Sequence, residues 1–440
     1  MKQACLGLWV CLALVCGPVS TEAGMTAKRT VLNNGMVLLT SEQRALPMVS
    51  IELLIDAGSR YEPADQAGLA NLTSKLLIYG TKQRTAVQIS DALDFIGASL
   101  EAGCGQDTTS VSLTVLKKDL TTGLELLADV LTQSTFPQAE IDRQKQAIIA
   151  SIRAAEEEPG IVAARAFAAA LFPDSPYGRP VEGSEASVKA LQQKSLRDFF
   201  ARNYRPNRSI IAVVGDVSEQ EIAKALNGAL RNWAKGEPSG QELVPAKIGE
   251  SKVLRLNKDL TQANIILGHN GVARGNPDYY AIQVMNYVLG GGGFSSRAMD
   301  SIRNERGLAY SVYSYFAAEK SHGAFEFIMQ TKNETAVEAI RIATEEMRHV
   351  REQPVTEQEL NDAKDYLIGS FPLRFDTNRK VAGFLSQVEY FKLGLDYPDH
   401  YADLIRKVTR DDVQRVAKQY LQPERLITVI VGNLKKIGEK

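Results

Sequence analysis

Histidine is scarce in this chain: His269, His322, His349 and His400 are the only four among 440 residues, and all lie in the second half. No two stand at i and i+4, the spacing that puts two imidazoles on one face of a helix. A helical two-histidine metal site is therefore excluded. Cysteine is as sparse. Cys5, Cys11 and Cys16 fall near the N-terminus, which leaves Cys104 alone in the remainder. One cysteine closes no intramolecular disulfide and builds no multi-thiolate site. With no activating motif around it, Cys104 reads as a small packed residue rather than a nucleophile. A surplus of either charge is also missing. The formal net charge is −1, which removes any general attraction to nucleic acid or anionic membrane.

What is present is ordinary globular material, 44% hydrophobic and 23% charged. A chain of 440 residues is too long for one small core, so two or more domains are expected. The opening "MKQACLGLWVCLALVCGPVSTEAG" reads as an export signal: Lys2, an apolar run from Ala4 to Cys16, then small residues. The run is too short to span a bilayer comfortably, and no stop-transfer pattern follows. Cleavage near Ala23 gives an exported protein, periplasmic in a Gram-negative source. Val15 before Cys16 is bulkier than lipoprotein signals usually allow, which argues against a lipid anchor.

Strand-like and helix-like segments interleave along the rest. "MVLLTSE" and "MVSIELLID" have the apolar, β-branched character of adjacent strands, and 108–116 alternates like a strand with one wet face. Helices are expected at 65–79, 86–96, 118–132, 138–157 and 218–231, and 209–216 reads as a buried strand stopped by Gly215. The plan then repeats. "NYRPNRSIIAVVGDV" (203–217) is echoed by "QYLQPERLITVIVGNL" (419–434), with Arg208 answering Arg425 and Gly215 answering Gly432, both 217 positions apart. Likewise "FPQAEIDRQKQAIIASI" matches "VTEQELNDAKDYLIGSF", with Glu140 answering Glu359. Similarity at half the chain length means duplicated domains rather than a solenoid. The reading is a signal peptide over 1–23, a first domain over 24–234, a Gly/Pro-rich connector over 235–250 and a second domain over 251–440.

With both halves in view, the chain resembles the pitrilysin/insulinase family of zinc metallopeptidases, in its short bacterial, mitochondrial-processing-peptidase-like branch. The resemblance runs from about residue 28 to the C-terminus. It rests on "PMVSIELLIDAGSRYEP" (47–63), "GLANLTSKLLIYGT" (68–81), "SPYGRPVEGSEASVKAL" (175–191) and "GGGGFSSRAMDSIRNERGLAYSVYS" (290–314). It implies an α+β fold: two homologous domains, each a mainly antiparallel sheet packed with helices, facing each other as a clamshell. The family's metal motif is H-x-x-E-H on a first-domain helix, with a glutamate ligand about 80 residues on. Two imidazoles at i and i+4 meet one zinc, and the intervening glutamate takes a proton from the bound water. Here Asn71 and Lys75 stand at the histidine positions, Ser74 at the base and Ser151 at the third ligand; Gln144 replaces a further common glutamate. Lysine offers no lone pair until it loses a proton whose intrinsic pKa is about 10.4, and asparagine and serine are weak neutral donors. No metal is expected in this chain.

The second-domain signature is intact. The resemblance implies an Arg–Tyr pair, matched by Arg303 and Tyr310, whose donors can hold a substrate carbonyl and the oxyanion formed from it. From pattern alone the plainer reading is that Arg303 belongs to a surface ion pair and Tyr310 packs against a sheet. The run Gly290, Gly291, Gly292 and Gly293 lacks the Lys-Ser/Thr of a phosphate loop. It suits a tight strand-to-helix bend with close backbone approach, and the resemblance adds a substrate-contact role. Strand 97–116 matches the family's peptide-pairing edge, although Glu101 stands where asparagine is common. The acidic "AAEEEP" (154–159) reads as a solvated helix end. Taken together, the resemblance implies a non-catalytic subunit: it pairs with a zinc-bearing homologue, binds peptide and contributes Arg303 and Tyr310 to the partner's site. The rival is a non-enzymatic scaffold or chaperone-like peptide-binding relative. No Ser–His–Asp or Cys–His set is visible in the sequence.

Overall fold

The computed structural model describes residues 26–237 and 249–438. The export-signal reading and most of the connector lie outside them.

The first half builds a six-stranded sheet from β1 (Lys28–Val31), β2 (Val37–Glu42), β3 (Met48–Ile55), β4 (Ser99–Cys104), β5 (Thr109–Leu116) and β6 (Ser209–Gly215). The spatial order is β1-β2-β6-β3-β5-β4, antiparallel except for the β2–β6 pair. The two strands that read as adjacent are therefore not paired. β6 lies between β2 and β3, with Val37 opposite Ile210 and Ile51 opposite Val213. "SIIAVVG" is apolar on nearly every residue and covered on both faces, so it takes an interior place.

The second half repeats the plan with β7 (Lys252–Asn257), β8 (Gln262–Asn270), β9 (Ala309–Ala318), β10 (Gly323–Lys332) and β11 (Ile427–Gly432). Their order is β7-β11-β8-β10-β9, and only β7–β11 is parallel. Each sheet lays its own helices over one face around a separate apolar core. Several helices fall where periodicity places them. Ala86–Ile96 begins on a capping box in which Thr85 and Gln88 exchange hydrogen bonds, and ends at Gly97 with φ 61°. Gln138–Glu157 matches its expected span, while the helix expected at 65–79 is shorter, Leu69–Leu76, behind a 3₁₀ turn at Ala64–Gln66.

The other face of each sheet is covered by a helix from the opposite half. Pro159–Leu171 buries Ala163, Phe167, Ala170 and Leu171 against Ile266, Ile427, Val429 and Val431 of the second sheet. Reciprocally, Asn378–Tyr390 buries Val381, Ala382 and Leu385 against Leu39, Ala212 and Val214 of the first. The exchange is reciprocal because each helix follows the equivalent helix of the repeat, Gln138–Glu157 in one half and Glu357–Ser370 in the other.

Candidate active-site remnant and arginine–tyrosine site

The helix Leu69–Leu76 is set by its entry. Gly68 takes φ 94°, where a Cβ would stand 2.6 Å from the carbonyl oxygen of Glu182. The buried carboxylate of Glu62 accepts from the backbone N–H groups of Gly68 at 3.1 Å and Ala70 at 2.6 Å, satisfying first-turn donors. Burial pushes Glu62 up to about 7 against those two hydrogen bonds and the nearby Arg179. Sequence reading missed Glu62, although it sits inside a quoted motif. Its signal is an acid six residues before the helix-entry glycine.

On this helix Asn71 is buried and Lys75 is exposed. Ser74 is fully buried and its hydroxyl donates to the Asn71 carbonyl at 2.8 Å, so its proton is already engaged within the helix. Ser151 is exposed on Gln138–Glu157, the helix packed beside it, and Gln144 is buried on the same helix. The structure thus brings the four positions onto two neighbouring helices, but their donors are an amide, two hydroxyls and an ammonium. Among the described residues no group of three His, Cys, Asp or Glu is placed to hold a metal ion. Zinc does not fit this donor set.

Two of the four histidines, His269 and His322, serve packing, whereas His349 and His400 are exposed. His269 is buried, stacks on Phe325 at 4.9 Å, approaches the Asn270 carbonyl through Nδ1 at 2.8 Å and accepts from the Gln422 N–H through Nε2 at 3.1 Å. Burial pulls its pKa down to about 4. His322 packs between the rings of Phe172 and Tyr177, across the two halves. Cys104 lies on edge strand β4 near Glu62; burial pushes its thiol up to about 12, which suits the packed reading. The edge of β4 is paired on one side only, and Glu101 there accepts from Arg379 of the exchanged helix at 2.5 Å. The acidic segment is a helix end, with the Glu157 side chain exposed.

Arg303 and Tyr310 meet in the second half. Arg303 lies in the π-helical turn Met299–Asn304; Gly307 at φ 61° turns the chain and β9 begins two residues later. The guanidinium carbon sits 4.8 Å from the Tyr310 ring centroid and 4.8 Å from that of Phe294. It is held between two aromatic faces, an attraction of electrostatic origin. Its Nη1 contacts the Met299 sulfur at 3.8 Å, and no carboxylate pairs with it among the described residues. Tyr310 is 79% exposed and Phe294 73%. A guanidinium braced by rings, with no carboxylate partner among the described residues, keeps N–H donors available beside an exposed phenol. The plainer reading, a sheet-packed tyrosine beside an ion-paired arginine, does not describe this geometry. Phe294 was missed as a partner; an exposed aromatic directly after four glycines is the signal for it.

The glycine run joins helix to helix, not strand to helix. Tyr279–Asn286 passes into a π-helical turn at Tyr287–Gly291, and a 3₁₀ turn at Gly293–Ser295 leads toward Arg303. The close-approach expectation holds: a Cβ on Gly290 would stand 2.8 Å from the Ser314 backbone nitrogen. Asn286 locks this contact, its Nδ2 donating to the Ser314 carbonyl at 3.0 Å while Ser314 Oγ donates back at 2.8 Å.

Comparison with known proteins agrees with this architecture. The family model described as insulinase (peptidase family M16) matches residues 37–185, and that described as the peptidase M16 inactive domain matches 190–367. An uncharacterized zinc protease of Streptomyces coelicolor is 30% identical over 93% of this chain and 90% of its own length. One from Bacillus subtilis is 28% identical over 81% and 86%. The crystal structure of a peptidase M16 inactive domain from Pseudomonas fluorescens aligns with a TM-score of 0.88 and 26% identity, over 92% of this chain and 98% of that one. A Helicobacter pylori protease shares the fold at a TM-score of 0.85 and 19% identity, over 92% and 99%. With a duplicated α+β unit, reciprocally exchanged helices and relatives matched over nearly their whole length, this chain belongs to the insulinase (M16) peptidase family.

Proposed function

We propose that this chain is the non-catalytic subunit of a heterodimeric zinc metallopeptidase acting outside the cytoplasm. It pairs with a homologous zinc-bearing subunit, binds peptide and extends the Arg303–Tyr310 pair into the partner's active site. One observation carries the reading: the donor pair is intact and braced, with Tyr310 exposed and Arg303 half-buried beside it, while the metal positions of the same chain hold Asn71, Lys75 and Ser151. A scaffold has no use for an exposed tyrosine stacked on an arginine that no carboxylate pairs among the described residues. In this chain Arg303 and Tyr310 donate hydrogen bonds to the peptide carbonyl and to the negative charge that develops on it. Phe294 fixes the guanidinium, and Gly290–Gly293 let that segment lie close to β9.

The experiment is reconstitution. The isolated chain is expected to hold no stoichiometric zinc and to cleave no peptide. In the reconstituted pair, Arg303→Ala and Tyr310→Phe should each lower turnover, on the order of 100-fold if each acts as an oxyanion donor. Wild-type turnover with both variants eliminates the contribution in trans and leaves the scaffold reading. Tightly bound metal with hydrolysis by the isolated chain overturns the non-catalytic assignment itself.

A further inference from the structure

A second feature begins one residue beyond Tyr310 on β9. Between the exchanged helix Pro159–Leu171 and strands β8–β10 runs an open cleft of about 530 Å³, a volume suited to part of a peptide. Its walls include Ile161 and Ile328, and its mouth carries Arg165 and Glu182, which are ion-paired with each other. Tyr313 and Tyr315 line it from β9. Their rings lie 18° from parallel, with centroids 6.4 Å apart, and Tyr313 is 43% exposed.

Register places Glu326 of β10 directly opposite Tyr315. Glu326 is half-buried in the cleft wall, and its side-chain partner is the Tyr315 hydroxyl. Among the described residues no Lys, Arg or His forms an ion pair with it, since Arg165 is taken by Glu182. A carboxyl withdrawn from water without a cation is held at a cost. Burial accordingly raises its pKa. An apolar wall leading to two tyrosine faces and an unpaired carboxyl has the complementary shape and charge of one ligand type. That type has a long aliphatic stem ending in a cation.

We propose that this cleft is a subsite for a basic side chain of a bound peptide. The stem of a lysine or arginine lies along Ile161 and Ile328, and its head meets Glu326 beside Tyr313 and Tyr315. The inference rests on the peptide-binding part of the function proposed above. Its test uses binding to the isolated full chain, so its failure leaves the contribution of Arg303 and Tyr310 to turnover untouched.

The probe is a short, fluorescently labelled, N-acetylated and C-amidated peptide with one central lysine, compared by anisotropy with the same peptide carrying norleucine. A third peptide carries norleucine and a free N-terminus. The lysine peptide should bind about tenfold tighter than the norleucine peptide, and freeing the terminus should add nothing. Glu326→Gln should abolish the preference, and Tyr313→Leu, on a half-exposed position, should reduce it roughly threefold. Equal binding of lysine and norleucine overturns the proposal, as does a preference that survives in folded Glu326→Gln. A gain that follows the free terminus instead of the side chain overturns it too.

Discussion

Phe167→Ala tests whether the exchanged helices bind the two halves into one unit. Phe167 belongs by sequence to the first half, yet its ring is 2% exposed over the second sheet. It occupies the space above Gly268, where a Cβ would stand only 2.4 Å from the ring. Gly268 offers no side chain to fill the gap, and the neighbouring Ile266, Val429 and Val431 belong to a hydrogen-bonded sheet that cannot collapse into it. Truncating such a buried phenylalanine costs about 3–5 kcal/mol. At roughly 2–4 °C per kcal/mol for a domain of this size, the melting temperature should fall by about 6–20 °C. Differential scanning calorimetry reads the fall, and hydrogen exchange locates it. Faster exchange is expected in β8 and β11, which lie far along the chain from the substitution. A fall below about 2 °C, or a loss of protection confined to the first sheet, refutes the coupling.

The remaining expectations concern buried titrating groups. Burial raises both Glu62 and Glu52 to about 7, so between about 4.5 and 7 the folded state binds more protons than the unfolded one. Stability therefore decreases as pH rises through that window, by up to roughly 3 kcal/mol per carboxyl. Urea midpoints at pH 5 and pH 7 should show the slope, and Glu62→Gln should reduce it; an unchanged slope removes Glu62 as a source. Cys104, held as a thiol up to about 12, should resist a thiol-exchange reagent in the native protein at pH 8 and react on unfolding. Rapid native labelling contradicts its packed assignment.

Legibility in the sequence followed the range of the interaction involved. Ala86–Ile96 was readable to the residue because its capping box and terminal glycine are local signals. The pairing of β2 and β3 was misread because the strand that separates them arrives more than 150 residues later. Periodicity shows that a helix has an apolar face without naming what covers it, so the reciprocal exchange of Pro159–Leu171 and Asn378–Tyr390 was invisible. The same limit separates Arg303 and Tyr310, which the family resemblance marked, from Phe294, which lies nine residues before Arg303 and reaches it only through the glycine-permitted turn. The unsuitability of Asn71, Ser74, Lys75 and Ser151 as zinc ligands was readable from residue type once the family resemblance had marked those positions, because donor chemistry needs no tertiary information.

The reciprocal helices bear on how such a molecule could have arisen. A polypeptide equal to one half would fold its own sheet and leave the outer face bare, with its spare helix projecting toward nothing. Two copies related by a twofold axis remedy both defects at once, each clasping the other. A tandem gene fusion then converts that bimolecular embrace into an intramolecular one. The fused arms become free to diverge, and one of them can shed its catalytic groups without loosening the grip.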